Sequence, residues 1–79
     1  MKTITIEYFA ILRERAGVAN EALATNAATP DELFAELGQR YGFPELESVK
    51  VAINDEFVGW DTFLNDGDTV VFIPPVAGG

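Results

Sequence analysis

Few residues in this 79-residue chain can do chemistry, and the most unusual stretch is its end, Phe72-Ile73-Pro74-Pro75-Val76-Ala77-Gly78-Gly79. The chain has no cysteine and no histidine. That excludes a thiolate nucleophile and a Cys-ligated cluster, and it removes the commonest general base and the usual zinc ligands. No G-x-x-x-x-G-K-[ST] stretch offers a phosphate cradle of that kind, so any step using ATP must occur on another protein. Asp61, Asn65, Asp66 and Asp68 are residue types found in calcium loops, but the EF-hand spacing is missing and turn chemistry explains them better. Glu45 and Glu47 read as solvated charge on a polar loop. No metal site is expected. What remains is the carboxylate of Gly79, with an ordinary pKa of about 3.3 to 3.7. It is ionised, and inert as an electrophile until something activates it.

The residues before that carboxylate suit its delivery to a partner. Gly78 and Gly79 lack a Cβ and fit a channel too narrow for side chains. Pro74-Pro75 cannot continue a hydrogen-bonded ladder and holds the exit direction extended. At about 3.3 to 3.6 Å per residue, Pro74 to Gly79 reaches roughly 20 Å, enough to enter another protein's active site. A frayed terminus is the alternative reading, but a frayed end does not need aiming.

The rest of the chain must hold this tail. Lys2 to Phe9 alternates, with Ile4, Ile6 and Tyr8 on one face and Thr3, Thr5, Glu7 and Phe9 on the other, as in a strand with one buried face. Ala10 to Ala16 predicts one or two helical turns stopped by Gly17. Val18 to Thr25 is weakly patterned and is expected to return as a hairpin strand with Leu23 inward. Thr29-Pro30-Asp31-Glu32 is a helix start, with Thr29 as N-cap, Pro30 in the first turn and Glu32 at the capping-box position. Leu33, Phe34, Leu37 and Tyr41 then share a stripe, and Gly42 with Pro44 ends the helix. Gly38 inside it predicts a close backbone approach, since glycine there costs on the order of 1 kcal/mol relative to alanine.

Val49, Val51 and Ile53 give a third strand, turning at Asn54-Asp55-Glu56 into a short one at Phe57-Val58. Asp61 to Leu64 predicts a turn of 3₁₀ helix. After the turn at Asn65-Asp66-Gly67-Asp68, the apolar run Val70 to Ile73 predicts an interior strand buried on both faces. This order predicts an α+β fold of the β-grasp, or ubiquitin-like, kind. A mixed sheet of four to five strands lies over one main helix, with short extra helical turns and the first and last strands central. One helix covers one face of the sheet. Alternation therefore puts Phe9, Val71 and Ile73 on the other face, expected to contact another protein. The expected division is a β-grasp domain over 1–75 and a flexible Gly-Gly tail over 76–79.

Composition narrows the partners. The net charge is −8, from thirteen acidic and five basic residues. An acidic surface repels phosphate backbones and anionic lipid, so neither nucleic acid nor membrane is expected, and a partner with a basic face is. No secretory signal and no apolar run of ~20 residues is visible, which makes the cytoplasm the expected location.

Phe9-Ala10-Ile11-Leu12-Arg13-Glu14 with Gly17 resembles the F-A-x-L-R-E-x-x-G opening of the small subunits of molybdopterin synthase. Val51-Ala52-Ile53-Asn54 resembles their A-V-N strand. The run from Leu64 to Gly79 resembles their L-x-D-G-D-E-V-A-F-x-P-P-V-[ST]-G-G ending, with Thr69 and Ala77 as mild departures. The resemblance covers the whole chain. It implies a sulfur carrier, a non-catalytic subunit of an enzyme complex that binds no cofactor itself. An E1-like adenylating enzyme would use ATP to activate the Gly79 carboxylate, and a sulfur donor would convert it to a thiocarboxylate. The tail Pro74, Pro75, Val76, Ala77, Gly78 would then enter the large synthase subunit, where two deliveries build the dithiolene from a cyclic pyranopterin phosphate. By position, Phe9, Phe57 and Ile73 would form the apolar contact with that subunit and Arg13 a polar one. The alternatives are a carrier for thiamine or tRNA thiolation, and a β-grasp module that binds without covalent chemistry.

Overall fold

The structure is a computed structural model that describes residues 1–75. The expectations for Val76, Ala77, Gly78 and Gly79, including the 76–79 tail division, lie outside the described residues. The elements in chain order are β1 (Lys2–Tyr8), α1 (Ala10–Ala16), β2 (Asn20–Thr25), α2 (Pro30–Tyr41), β3 (Lys50–Ile53), β4 (Glu56–Val58) and β5 (Thr69–Ile73). The five strands form one sheet in the order β2-β1-β5-β3-β4. The β1–β5 pair is parallel and every other pair is antiparallel. This is the β-grasp arrangement, with β5 at the centre and β1 beside it.

Register explains the two faces. Tyr8 lies beside Phe72, which lies beside Val51, and Ile6 beside Val70, which lies beside Ile53. These rows form the inner face and join Leu33 and Leu37 of α2 in one buried core with Ile4, Leu12, Leu23 and Leu64. The intervening row, Glu7, Val71, Ala52 and Phe57, faces the other way. Val71 and Ala52 are buried there without belonging to the core. Val70, Val71 and Phe72 of β5 are therefore buried on both faces, as an interior strand requires, while Ile73 stays partly exposed.

Capping works as the sequence implies, with one shift. Thr29 Oγ1 accepts from the Glu32 N–H, but the Glu32 carboxylate accepts from Ala28 N–H, one residue before the N-cap. Gly17 and Gly42 end α1 and α2 in the left-handed conformation. Asn54 and Asp55 both hold positive φ, at 51° and 70°, as a two-residue hairpin turn of the type I′ kind demands.

Two expectations fail. Asp61 to Leu64 forms no 3₁₀ turn. The Thr62 N–H closes a turn onto the Gly59 carbonyl at 3.2 Å, and Leu64 is drawn into the core with its N–H donated to Ala28 at 2.8 Å. Leu64 thus answers to a distant carbonyl rather than a local one, and Phe63 is left 74% exposed. Gly38 has no close backbone approach either, for a Cβ placed on it would meet nothing within 4 Å.

Candidate functional site

The site is built where β1 stops and β5 ends. Phe9 follows the last residue of β1 and is the N-cap of α1, yet it holds extended angles of φ −127° and ψ 151°. The alternation of β1 therefore runs one residue past the strand and sends Phe9 to the outer face. Ala10 then takes a positive φ of 52°, which turns the chain sharply into α1. Its short side chain limits a steric cost that falls hardest on bulky or branched residues in that region.

Phe9, Phe57 and Ile73 come together on one face of the sheet. They line a hollow of about 310 Å³ on the outer face, with Val71 and Ala52 also lining it. Phe57 is 69% exposed and Phe9 50%, a large aromatic area open to solvent on a protein of this size. Glu7 and Asp55 lie at the same hollow. A second groove of about 750 Å³ adjoins it through the shared Phe9 and Ile73 and is lined further by Ile11, Leu46, Pro74 and Pro75. Pro74 is buried and Pro75 exposed, so the base of the tail is anchored at one residue and free at the next.

Arg13 is exposed on α1 and does not line either hollow; Glu14, one residue on, lines the larger one. Leu46 was not legible as part of the site. It sits in an unpatterned loop between two glutamates, and its only signal is a lone large apolar residue there. Asp66 and Asp68 do turn work: Asp66 accepts the Thr3 N–H at 2.7 Å, and Asp68 accepts from Asn65 N–H at 2.8 Å and Asn54 Nδ2 at 3.0 Å. Among the described residues no cluster of three or more acidic, His or Cys side chains is placed to hold a metal ion. The perturbed groups lie on the inner side of the sheet, Tyr8 in the buried core and Tyr41 packed against it. Burial and a hydrogen bond to Glu21 push the Tyr8 hydroxyl well above its ordinary range, and the same carboxylate raises that of Tyr41. Among the described residues the groove at Pro74 and Pro75 is lined by apolar side chains with Glu14 as its charged group, a surface suited to binding.

Residues 6–79 match the family described as the ThiS family. The chain belongs to that family. Among the relatives of this ThiS-family chain are two proteins named molybdopterin synthase sulfur carrier subunit. The one from Mycobacterium tuberculosis is 34% identical over the full length of both chains, and the one from Escherichia coli 36% identical over 96% of this chain and 99% of its own. A solved complex of subunits 1 and 2 of the molybdopterin-converting factor from Helicobacter pylori contains a chain 29% identical to this one. It matches with a TM-score of 0.67 over 98% of this chain and 99% of its own. A β-grasp fold and a two-subunit assembly thus recur among proteins similar to this family member.

Proposed function

We propose that this chain is the sulfur carrier subunit of molybdopterin synthase. The observation that carries the reading is the tail base itself: Pro74 and Pro75 leave the body from within the apolar surface of Phe9, Ile11, Leu46 and Ile73. A partner seated on that surface receives whatever the tail bears. Full-length relatives with the carrier name support it.

The chemistry belongs to the terminus. A Gly79 carboxylate oxygen attacks the α-phosphorus of ATP on an adenylating partner, and pyrophosphate leaves. Hydrosulfide released by a sulfur donor then attacks the acyl carbon, the C–S bond forming as the C–O bond to AMP breaks, and loss of the S–H proton leaves a thiocarboxylate. Phe9, Phe57 and Ile73 seat the chain on the large subunit, Arg13 adds a polar contact at the edge, and Val76 to Gly79 thread the channel to the cyclic pyranopterin phosphate. This chain supplies the sulfur and the docking surface; the partners supply ATP chemistry and catalysis. Such ATP-dependent work fits the cytoplasm, and no helix among the described residues is long and apolar enough to cross a membrane.

Deleting Gly79 tests the reading. The core runs in sequence from Ile4 to Phe72, so the truncated protein is expected to melt with the parent. It should fail to restore cofactor synthesis in a cell lacking its own carrier. Restoration by the truncated chain would end the proposal.

A further inference from the structure

Gly38 lies in the interior of α2, where glycine costs on the order of 1 kcal/mol relative to alanine. Nothing in the fold requires it. Its φ is not in the left-handed region, and an added Cβ would meet no atom within 4 Å. What the missing side chain leaves is open space. Gly38 lines a cleft of about 740 Å³ between α2 and the loop that follows, together with Phe34, Phe43 and Leu46. Glu45 and Glu47 stand on the same cleft. A smaller hollow of about 330 Å³ shares Phe34 and Leu46 and continues toward Trp60, with Asp31 at its side. The lining of both is apolar and acidic, with no lysine or arginine.

We propose that this groove takes a cationic, apolar segment of a partner protein. A large aliphatic or aromatic side chain of the segment seats over Gly38 against the paired rings of Phe34 and Phe43, whose centroids lie 5.6 Å apart, and flanking lysines or arginines meet Glu45 and Glu47. Charge selects the occupant. The groove adds its acids to a chain of net charge −8, and a neutral or acidic segment leaves them uncompensated. Glycine is explained by the same contact, because any larger residue at 38 would occupy the anchor's place. The groove meets the tail-base groove at Leu46 alone and shares no other lining residue with it, and the proposal does not depend on the sulfur-carrier reading.

The test is a titration of the ¹⁵N-labelled full chain with a synthetic peptide alternating Lys with Leu and Phe, beside a counterpart with Glu for Lys. Amide shifts should gather at Phe34, Gly38, Phe43 and Leu46 for the lysine peptide and be absent for the other. Gly38→Leu should weaken binding by about ten-fold without lowering Tm. Gly38→Ala should raise Tm and weaken binding less, which keeps the test open if the leucine variant folds poorly. Glu45→Gln with Glu47→Gln should weaken binding and leave the melt unchanged. Shifts spread evenly over the acidic surface, shifts centred on Val71, no response, or unchanged affinity in the Gly38 variants would each overturn the proposal.

Discussion

Glu21 accepts the hydroxyl of Tyr8 at 2.6 Å and that of Tyr41 as well, joining β1, β2 and the end of α2 through one carboxylate. Thr25 makes a second link from β2 to α2, donating to Glu36 at 2.7 Å while accepting the Ala27 N–H at 3.0 Å. Both tyrosines are held neutral, Tyr8 first by burial and Tyr41 first by its bond to Glu21. The sign follows. A hydroxyl whose folded pKa is raised above its ordinary 10.0 contributes stability that is fully present below that pH and is lost as pH rises past it, where the unfolded chain ionises first. Urea melts from pH 7 to 11 should therefore show stability falling above about pH 10. Tyr8→Phe should cost about 1 kcal/mol at pH 7 and flatten that fall, with Tyr41 supplying what remains. A fall as steep in the variant as in the parent would show that Tyr8 is not its source.

At the scale of elements, β5 carries both the core and the partner surface, and alternation separates the two jobs. Phe72 is fully buried against Phe34 and Trp60, with ring centroids 4.9 and 5.7 Å away, whereas Ile73 is only partly buried on the other face. Ile73→Lys should weaken association with the large subunit more than folding. Losing one such apolar side chain costs roughly 1.5 to 3 kcal/mol, or about 10- to 150-fold in affinity. Phe72→Lys should unfold the protein. Calorimetric titration beside thermal melts separates them, and the reverse outcome would mean the faces of β5 are exchanged. The faces of β1 were legible in the sequence because its period of two is local, as were Thr29, Gly17 and Gly42 at the helix ends, whereas β5 is apolar throughout and its faces followed only from strand alternation. What was not legible depended on distant partners. Trp60 stacks on Phe72 and Leu64 bonds to Ala28, yet neither lies in a periodic run, and the local turn pattern at Asp61 misled for that reason. Gly38 is anomalous in a helix interior, but no neighbouring backbone approaches it, so the close approach expected from the sequence is absent.

Taken whole, the molecule is a small acidic body with an apolar surface around Pro74 and Pro75. A net charge of −8 should steer it toward a basic partner face, so association with the large subunit should slow as salt rises. Between 0.01 and 0.15 M ionic strength, where the Debye length falls from about 30 to 8 Å, the on-rate should drop by about ten-fold or more while Tm changes little. A salt-independent on-rate in stopped flow would assign the charge to solubility alone. The central claim is that sulfur travels on the terminus of a chain with no cysteine. Its most direct test is the mass of the C-terminal peptide after incubation with the adenylating enzyme, ATP and a sulfur donor. The account predicts a gain equal to the replacement of one oxygen by sulfur, confined to the fragment ending in Gly79 and lost again on mixing with the large subunit and the pyranopterin precursor. An unchanged terminal peptide under conditions where the same enzyme thiolates another carrier would contradict it.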